Sequence, residues 1–285
     1  MMRRLLVAMT ATGALAFSAC SAEEASVVKT AFEQDIKSAD VTVAISMKSA
    51  QGESGVALSG PFQSNGEGKL PSVDWRLRLD GMLPRPIEGR VISSGDDAFI
   101  EYGGETYQVG KDKIAQLGAM GAGSGMESAD LAKLMGKMQD WFPQSDAQSE
   151  ASLNGEAVTR ITGKLDLSEA LKDMQAMAKQ PGASGFEGLK QLSEGDLDEV
   201  EKMISDPTFT VDVAQSDDKL RRIAARMTIE DESGEKGTVS LSIELKDVDK
   251  PVTITPPASG RPLEELMQKL QQDFGASVPE ETTIS

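Results

Sequence analysis

The residue with the most specific chemistry in this chain is Cys20, the sole cysteine among 285 residues. Arg3 and Arg4 precede an apolar run over residues 5–17, and Ser18-Ala19-Cys20 comes directly after it. The run is too short to span a bilayer stably, and a positive start, an apolar middle and a small-residue end make the layout of a cleavable export leader. A membrane peptidase needs small side chains beside the cut, while the Cys20 thiolate attacks a diacylglycerol donor and becomes a lipid anchor. An ordinary secretory leader with an incidental cysteine is the alternative, and Phe17 is bulkier than the residues usual at its place. The sequence thus predicts a lipoprotein signal peptide over residues 1–19, a lipidated N-terminus and short tether over 20–23, and a palmitate-type membrane anchor on the extracytoplasmic face.

Other reactive constellations are excluded or weak. With no histidine in the chain, Ser-His-Asp and Cys-His arrangements cannot form, and the usual zinc sets lose their commonest ligand. Ser46-Met47-Lys48 is a poor Ser-Lys pair because its spacing belongs to a strand. Paired carboxylates for glycoside chemistry lack the aromatic residues that would stack a sugar. Asp217-Asp218 and Glu230-Asp231-Glu232 do not alternate their oxygens as a calcium loop does, so they read as solvated turns. The glycine-rich stretch 118–125 has no following lysine and no preceding strand, so it reads as a connector and not as a phosphate cradle. The expectation is no enzyme, no metal and no cofactor.

A formal charge of −17 becomes more negative once the leader's two arginines leave, which argues against nucleic acid and in favour of a soluble body on a tether. With Cys20 acylated no thiol remains for a disulfide, so packing alone must hold the fold.

Around these residues the hydropathy period changes several times. Residues 24–38 predict an amphipathic helix with Val27, Val28, Ala31, Phe32 and Ile36 near one face. From Asp40 the period is twofold: Val41, Val43, Ile45 and Met47 alternate with Thr42, Ala44, Ser46 and Lys48. Similar runs at 54–63, 72–80 (Trp75, Leu77, Leu79), 87–93, 97–102 and 106–109, broken at Asn65-Gly66, Gly95-Asp96 and Gly103-Gly104, predict an antiparallel meander. The centre reads as helical over 111–117, 128–142, 166–178, 186–192 and 196–204, with a strand pair near 151–165. Strands return at 208–215, 220–230 and 238–245, succeeded by a helix over 263–274 and a disordered tail over 275–285. The order helix, meander, helical insertion (about 111–205), meander, helix predicts a single α+β domain over 24–274 and not a βαβ repeat.

Several segments carry a resemblance to a known family: the lipobox at Cys20, the pair Gly95-Asp96-Asp97-Ala98-Phe99-Ile100-Glu101-Tyr102 with Glu105-Thr106-Tyr107-Gln108-Val109, and the helix end Asp140-Trp141-Phe142-Pro143. Leu153-Asn154-Gly155-Glu156-Ala157-Val158-Thr159-Arg160-Ile161-Thr162-Gly163 and Asp217-Asp218-Lys219-Leu220-Arg221-Arg222-Ile223 add to it. On these the chain resembles the LolA/LppX-like lipoproteins of the LppX/LprG type, in an actinobacterial form. The resemblance implies a strongly curved antiparallel half-barrel closed by α-helices over a hydrophobic cavity, and binding of a lipid or another apolar molecule for transfer across the cell envelope.

Seven methionines, Met120, Met126, Met135, Met138, Met174, Met177 and Met203, fall in the expected helical cover. Flexible thioethers over a cavity suit ligands of varied shape, and filling a plain core is the alternative. Met135, Met138, Phe142, Leu171, Met174, Met177 and Trp75 are the candidate ligand-binding residues. The expected partners are a lipid or hydrophobic small molecule and the membrane through Cys20, on a monomer. A structural or partner-binding lipoprotein with a filled core is the runner-up, and a two-lobed solute receptor ranks third.

Overall fold

The structure, a computed structural model, describes residues 21–66, 71–81, 85–114, 141, 144–179, 194–230 and 233–274. The leader with Cys20, the glycine-rich stretch 118–125, the expected helix 128–142 apart from Trp141, the expected helix 186–192, and the tail 275–285 lie outside the described residues.

Twelve strands form one curved, unclosed and almost wholly antiparallel sheet, the expected α+β architecture. A first meander runs through β1 (Ser38–Ser49), β2 (Gly52–Gln63), β3 (Ser72–Asp80), β4 (Ile87–Ser94), β5 (Ala98–Tyr102) and β6 (Glu105–Gln108). A second runs through β7 (Gln144–Leu153), β8 (Glu156–Lys164), β9 (Ile204–Ala214), β10 (Leu220–Glu230) and β11 (Lys236–Lys246). They meet at one seam, where β1 pairs with β11. A two-residue strand, β12 (Arg261–Pro262), lies parallel to β6 and ends the sheet opposite β7. Four longer helices, α1 (Ser21–Glu33), α2 (Leu167–Ala178), α3 (Glu194–Met203) and α4 (Leu263–Phe274), and a helical turn at 111–114, where a helix over 111–117 was expected, complete the described chain.

Register converts the alternation in sequence into two faces. Directly paired residues share a face. The pairs Ile161↔Val211, Val211↔Ile223, Ile223↔Ile243, Ile243↔Val43, Val43↔Leu58 and Leu58↔Leu77 carry one apolar row across seven strands from β8 to β3. One residue along, Arg160↔Asp212, Asp212↔Arg222, Arg222↔Glu244, Glu244↔Thr42, Thr42↔Ser59, Ser59↔Arg76 and Arg76↔Arg90 carry a polar row on the opposite face. We term the apolar face inner and the polar face outer. A slip of one residue in any strand would exchange the two, so the pattern itself specifies the pairing.

The inner face is covered by helices at its two flanks. Val28 and Ala31 of α1 pack with Ile161, Phe209, Val211, Val213 and Ile223 in the main buried cluster. At the other flank α4 lies by β5 and β6: Lys269 Nζ meets Glu105 Oε2 at 3.0 Å, and the Phe274 ring lies 6.4 Å from that of Tyr102. Leu167 and Leu171 of α2 form a separate seam with Leu197 of α3, flanked by Met174, Val200 and Ile204.

Four elements differ from the periodicity. The first helix starts at Ser21, taking in residues read as tether, and stops at Glu33 because residues 37–38 are claimed by the end of the second meander. Lys37 N donates to Asp249 Oδ1 at 2.7 Å, Ser38 Oγ donates to the Lys250 carbonyl at 2.7 Å, and the Ser38 carbonyl accepts from Asp249 N at 2.8 Å. Ile204 starts β9 instead of ending a helix, opposite Ile229. Strand β7 reaches back to Gln144 through a polar run with no apolar alternation, held by its register with β8. The strand β12 has no sequence signal; Gly260 lets it come so close that an added Cβ would stand 2.6 Å from Gln108 N.

Inside β2, Gly60-Pro61 interrupts the ladder to β3. Pro61 has no N–H to donate. Gly60 has φ +140°, and an added Cβ would lie 2.0 Å from the Asp74 carbonyl oxygen, so only glycine fits.

Candidate functional site

Between the two helix-covered flanks lies the central strip of the inner face, built by β11, β1, β2 and β3. Val43, Leu58, Leu77, Leu241 and Ile243 are only half-buried there, and towards the β1–β2 turn Ile45 is 47% and Met47 45% exposed. These are large apolar side chains on neighbouring strands: Ile45 opposes Val56 and Leu241, and Met47 opposes Val239. Scattered surface leucines are ordinary, but a contiguous apolar strip on one sheet face marks a surface that binds something. It can supply non-directional apolar contact and little polar chemistry.

The outer face has the opposite character. The Asp212 carboxylate is entirely buried, with Arg160 Nε at 2.7 Å and Arg222 Nη2 at 2.7 Å. Arg90 bridges Asp74, at 2.6 Å from Nε, and Glu101, at 3.2 Å from Nη1. The hydrogen bond from Arg90 holds the Asp74 carboxyl below its ordinary range and outweighs partial burial, which pushes the other way. Arg78 pairs with Asp80 and Glu88. Such pairs knit neighbouring strands together, and no acid among them is left unpaired as a general acid or base would be.

At the α4 flank the Tyr107 hydroxyl donates to Glu105 Oε2 at 2.7 Å, and with Lys269 and Arg261 it lowers the Glu105 pKa to about 2. The Tyr102 hydroxyl donates to Asp273 at 3.0 Å. A cleft of about 490 Å³ opens beside it, lined by Arg85, Pro86, Ile87, Tyr102, Asp273 and Phe274. Among the described residues no group of three or more His, Cys, Asp or Glu side chains could hold a metal ion, and no described helix is long and apolar enough to cross a membrane.

The structure places the candidate ligand residues unevenly. Trp75 stands on the inner face, opposite Val91 and between Val73 and Leu77. Leu171 is buried in the α2–α3 seam with Met174 half-buried against it. Met135, Met138 and Phe142 lie outside the described residues, as do the Met177 side chain and Cys20. What the sequence reading did not single out is the strip itself. Val43, Ile45 and Met47 were visible as the apolar half of β1, but only the β1–β11 pairing reveals that Leu241 and Ile243 continue the same surface.

No protein-family profile matches this chain, and no curated protein matches it. Solved structures similar to it include LprF from Mycobacterium bovis, with TM-score 0.45 and 15% identity over 83% of this chain and 98% of that one. A putative outer membrane lipoprotein-sorting protein domain from Vibrio parahaemolyticus has TM-score 0.23 and 9% identity over 81% of this chain and 93% of that one. A LolA superfamily protein from Nitrosomonas europaea has TM-score 0.20 and 13% identity over 80% and 95%.

Proposed function

We propose that this protein is a non-enzymatic envelope lipoprotein, tethered through acylated Cys20 on the extracytoplasmic face, which binds a lipid or another apolar molecule and hands it between layers of the envelope. The observation that carries the reading is the half-exposed strip of Val43, Ile45, Met47, Leu58 and Leu77 between two flanks that helices close. Covering such a strip with acyl chains gains about 25 cal/mol for each Å² removed from water, whatever the chain's exact shape. In this reading Met135, Met138, Phe142, Met174 and Met177 adapt around the ligand's other side, Leu171 anchors the α2–α3 pair, and the protein acts as a monomer.

The test is native mass spectrometry with lipid extraction on protein purified from a bacterial host without harsh detergent. Acyl lipid in near-stoichiometric amount is the expected result. A clean apo mass that stays apo after lipid challenge would sink the carrier and favour the runner-up, in which exposed Ile45 and Met47 dock a protein partner.

A further inference from the structure

Six of the described arginines stand in ion pairs with acids, among them Arg78 with Asp80 and Glu88, and Arg90 with Asp74 and Glu101. Among the described residues Arg76, Arg85 and Arg226 form no ion pair, and their guanidinium groups donate no hydrogen bond. Arg76 is exposed on the outer face, in a trough of about 490 Å³ lined by Ala57, Ser59, Arg76, Arg78, Arg90 and Glu101. Its register partner on β4 is Arg90, and like charges directly opposite one another are unfavourable. Its partner on β2, Ser59, brings a hydroxyl and no charge. Arg90 gives Nε and Nη2 to the Asp74 carboxylate and Nη1 to Glu101, whereas Arg76 exerts only a minor electrostatic pull on Asp74. The Arg76 fork is therefore open to a further carboxylate.

The trough adjoins the cleft at the end of α4. Both are lined by Glu88, Tyr102 and Gly103, and the Gly103-Gly104 turn between β5 and β6 raises no side chain between them. The unpaired Arg85 lines the cleft, and so does Phe274, the last residue of α4. In sequence Gly275-Ala276-Ser277-Val278-Pro279-Glu280-Glu281 comes next, and residues 275–285 contain these two acids and no base. A glycine directly after a helix lets a chain turn away sharply, and a proline biases the residue before it towards extended backbone. Six extended residues span about 20 Å, while β5 and β3 are two strand spacings, about 10 Å, apart.

We propose that the outer-face trough is the docking site of this chain's own acidic segment after α4: the carboxylate of Glu280 or Glu281 takes the Arg76 fork beside the Ser59 hydroxyl, and Arg85 stands on the path that leads there. Guanidinium and carboxylate match as planar forks. Tethering raises the local concentration of the acids to about the millimolar range, so a contact that separate molecules would not hold forms within one chain. Docked there, the segment ties down α4 at Phe274, while Lys113 on Glu264, 2.6 Å apart, holds its start. The assignment stands whatever the inner face binds.

The test is ¹⁵N relaxation on the full-length protein, read at the backbone amides of Glu280 and Glu281. In wild type at low salt their order parameters should exceed about 0.6, below which backbone is flexible, and should not change on dilution. Arg76→Glu should drop both below about 0.6, and adding Glu280→Lys and Glu281→Lys to it should restore them. Raising the salt to about 1 M, where screening acts within about 3 Å, should free both amides in wild type, a readout that needs no variant to fold. Amides already flexible in wild type at low salt, or still ordered in Arg76→Glu, overturn the docking. Order that fades on dilution overturns it as well, and assigns the trough to the segment of a second copy.

Discussion

Replacing Ile45 by aspartate tests the strip directly. Ile45 is 47% exposed, so roughly 80 Å² of its surface is in water, and covering it with an acyl chain is worth about 2 kcal/mol at about 25 cal/mol per Å². Losing that contact costs about thirtyfold in affinity, and the carboxylate would also have to shed water beneath the ligand, so thirtyfold is a lower bound. Stability should change little, because a side chain this exposed leaves the carboxylate hydrated: less than about 1 kcal/mol, or under about 4 °C in Tm for a domain of this size. The control is Ser46→Asp, which puts the same charge one residue along the strand and therefore on the outer face. Affinity for Nile red and monooleoylglycerol, measured by fluorescence beside a thermal melt of each variant, gives both axes. The expected pattern is at least thirtyfold weaker binding for Ile45→Asp alone, with near-wild-type melting for both. Undiminished binding by Ile45→Asp, or equal loss in Ser46→Asp, would refute the assignment of the site to this face.

Three further outcomes rest on particular contacts. Asp212→Ala leaves Arg160 and Arg222 facing one another around a vacated buried site, and breaking a buried pair from one side costs about 3–5 kcal/mol, readable as a lower denaturant midpoint at unchanged slope. Gly60→Ala drives a methyl into the Asp74 carbonyl at a backbone angle that L-residues avoid, so a loss of about 2 kcal/mol or more is expected, and a melt like that of wild type would show that β2 can shift to relieve it. Glu105, held near 2 by Tyr107, Lys269 and Arg261, has a folded pKa below its unfolded one, so its contribution is full above about pH 4.5 and fades as pH falls towards 2. Wild-type Tm should therefore drop more steeply over that interval than the Tm of Glu105→Gln, and parallel profiles would remove Glu105 from the α4 contact.

The strands were largely legible because their signal is local: in β1 every second residue is apolar, and the glycine-bearing breaks after β5 and β10 limit the choice of turn. Boundaries failed where a partner distant in sequence decided them. Ser38 belongs to β1 through Asp249 and Lys250, and Ile204 to β9 through Ile229, none of which a window of helical periodicity includes. Strand β7 was half invisible for a related reason, since Gln144, Ser145, Gln148 and Ser149 have no apolar phase to read. The candidate site was legible in its ingredients and not in its assembly. Trp75, Val43 and Ile45 could each be placed on an apolar face, but nothing in the residues themselves says that β11 returns to lie beside β1, or that Trp75 alone among the polar aromatics goes without a partner.

The seam between β1 and β11 sets an order of events during synthesis. Val43 and Ile243 are register partners about two hundred residues apart, so in a chain made from its amino end β1 is among the first strands to appear and its outer neighbour among the last. Meanwhile β2 can occupy one edge of β1 at once through the Ala50-Gln51 turn, while the other edge stands open with Val41, Val43, Ile45 and Met47 beside it. An open, apolar-sided edge is a template for another chain's strand. Nascent chains of this protein are thus most prone to pair wrongly at β1, and a chaperone that holds residues 38–49 until the second meander is complete would protect the step on which the whole sheet depends.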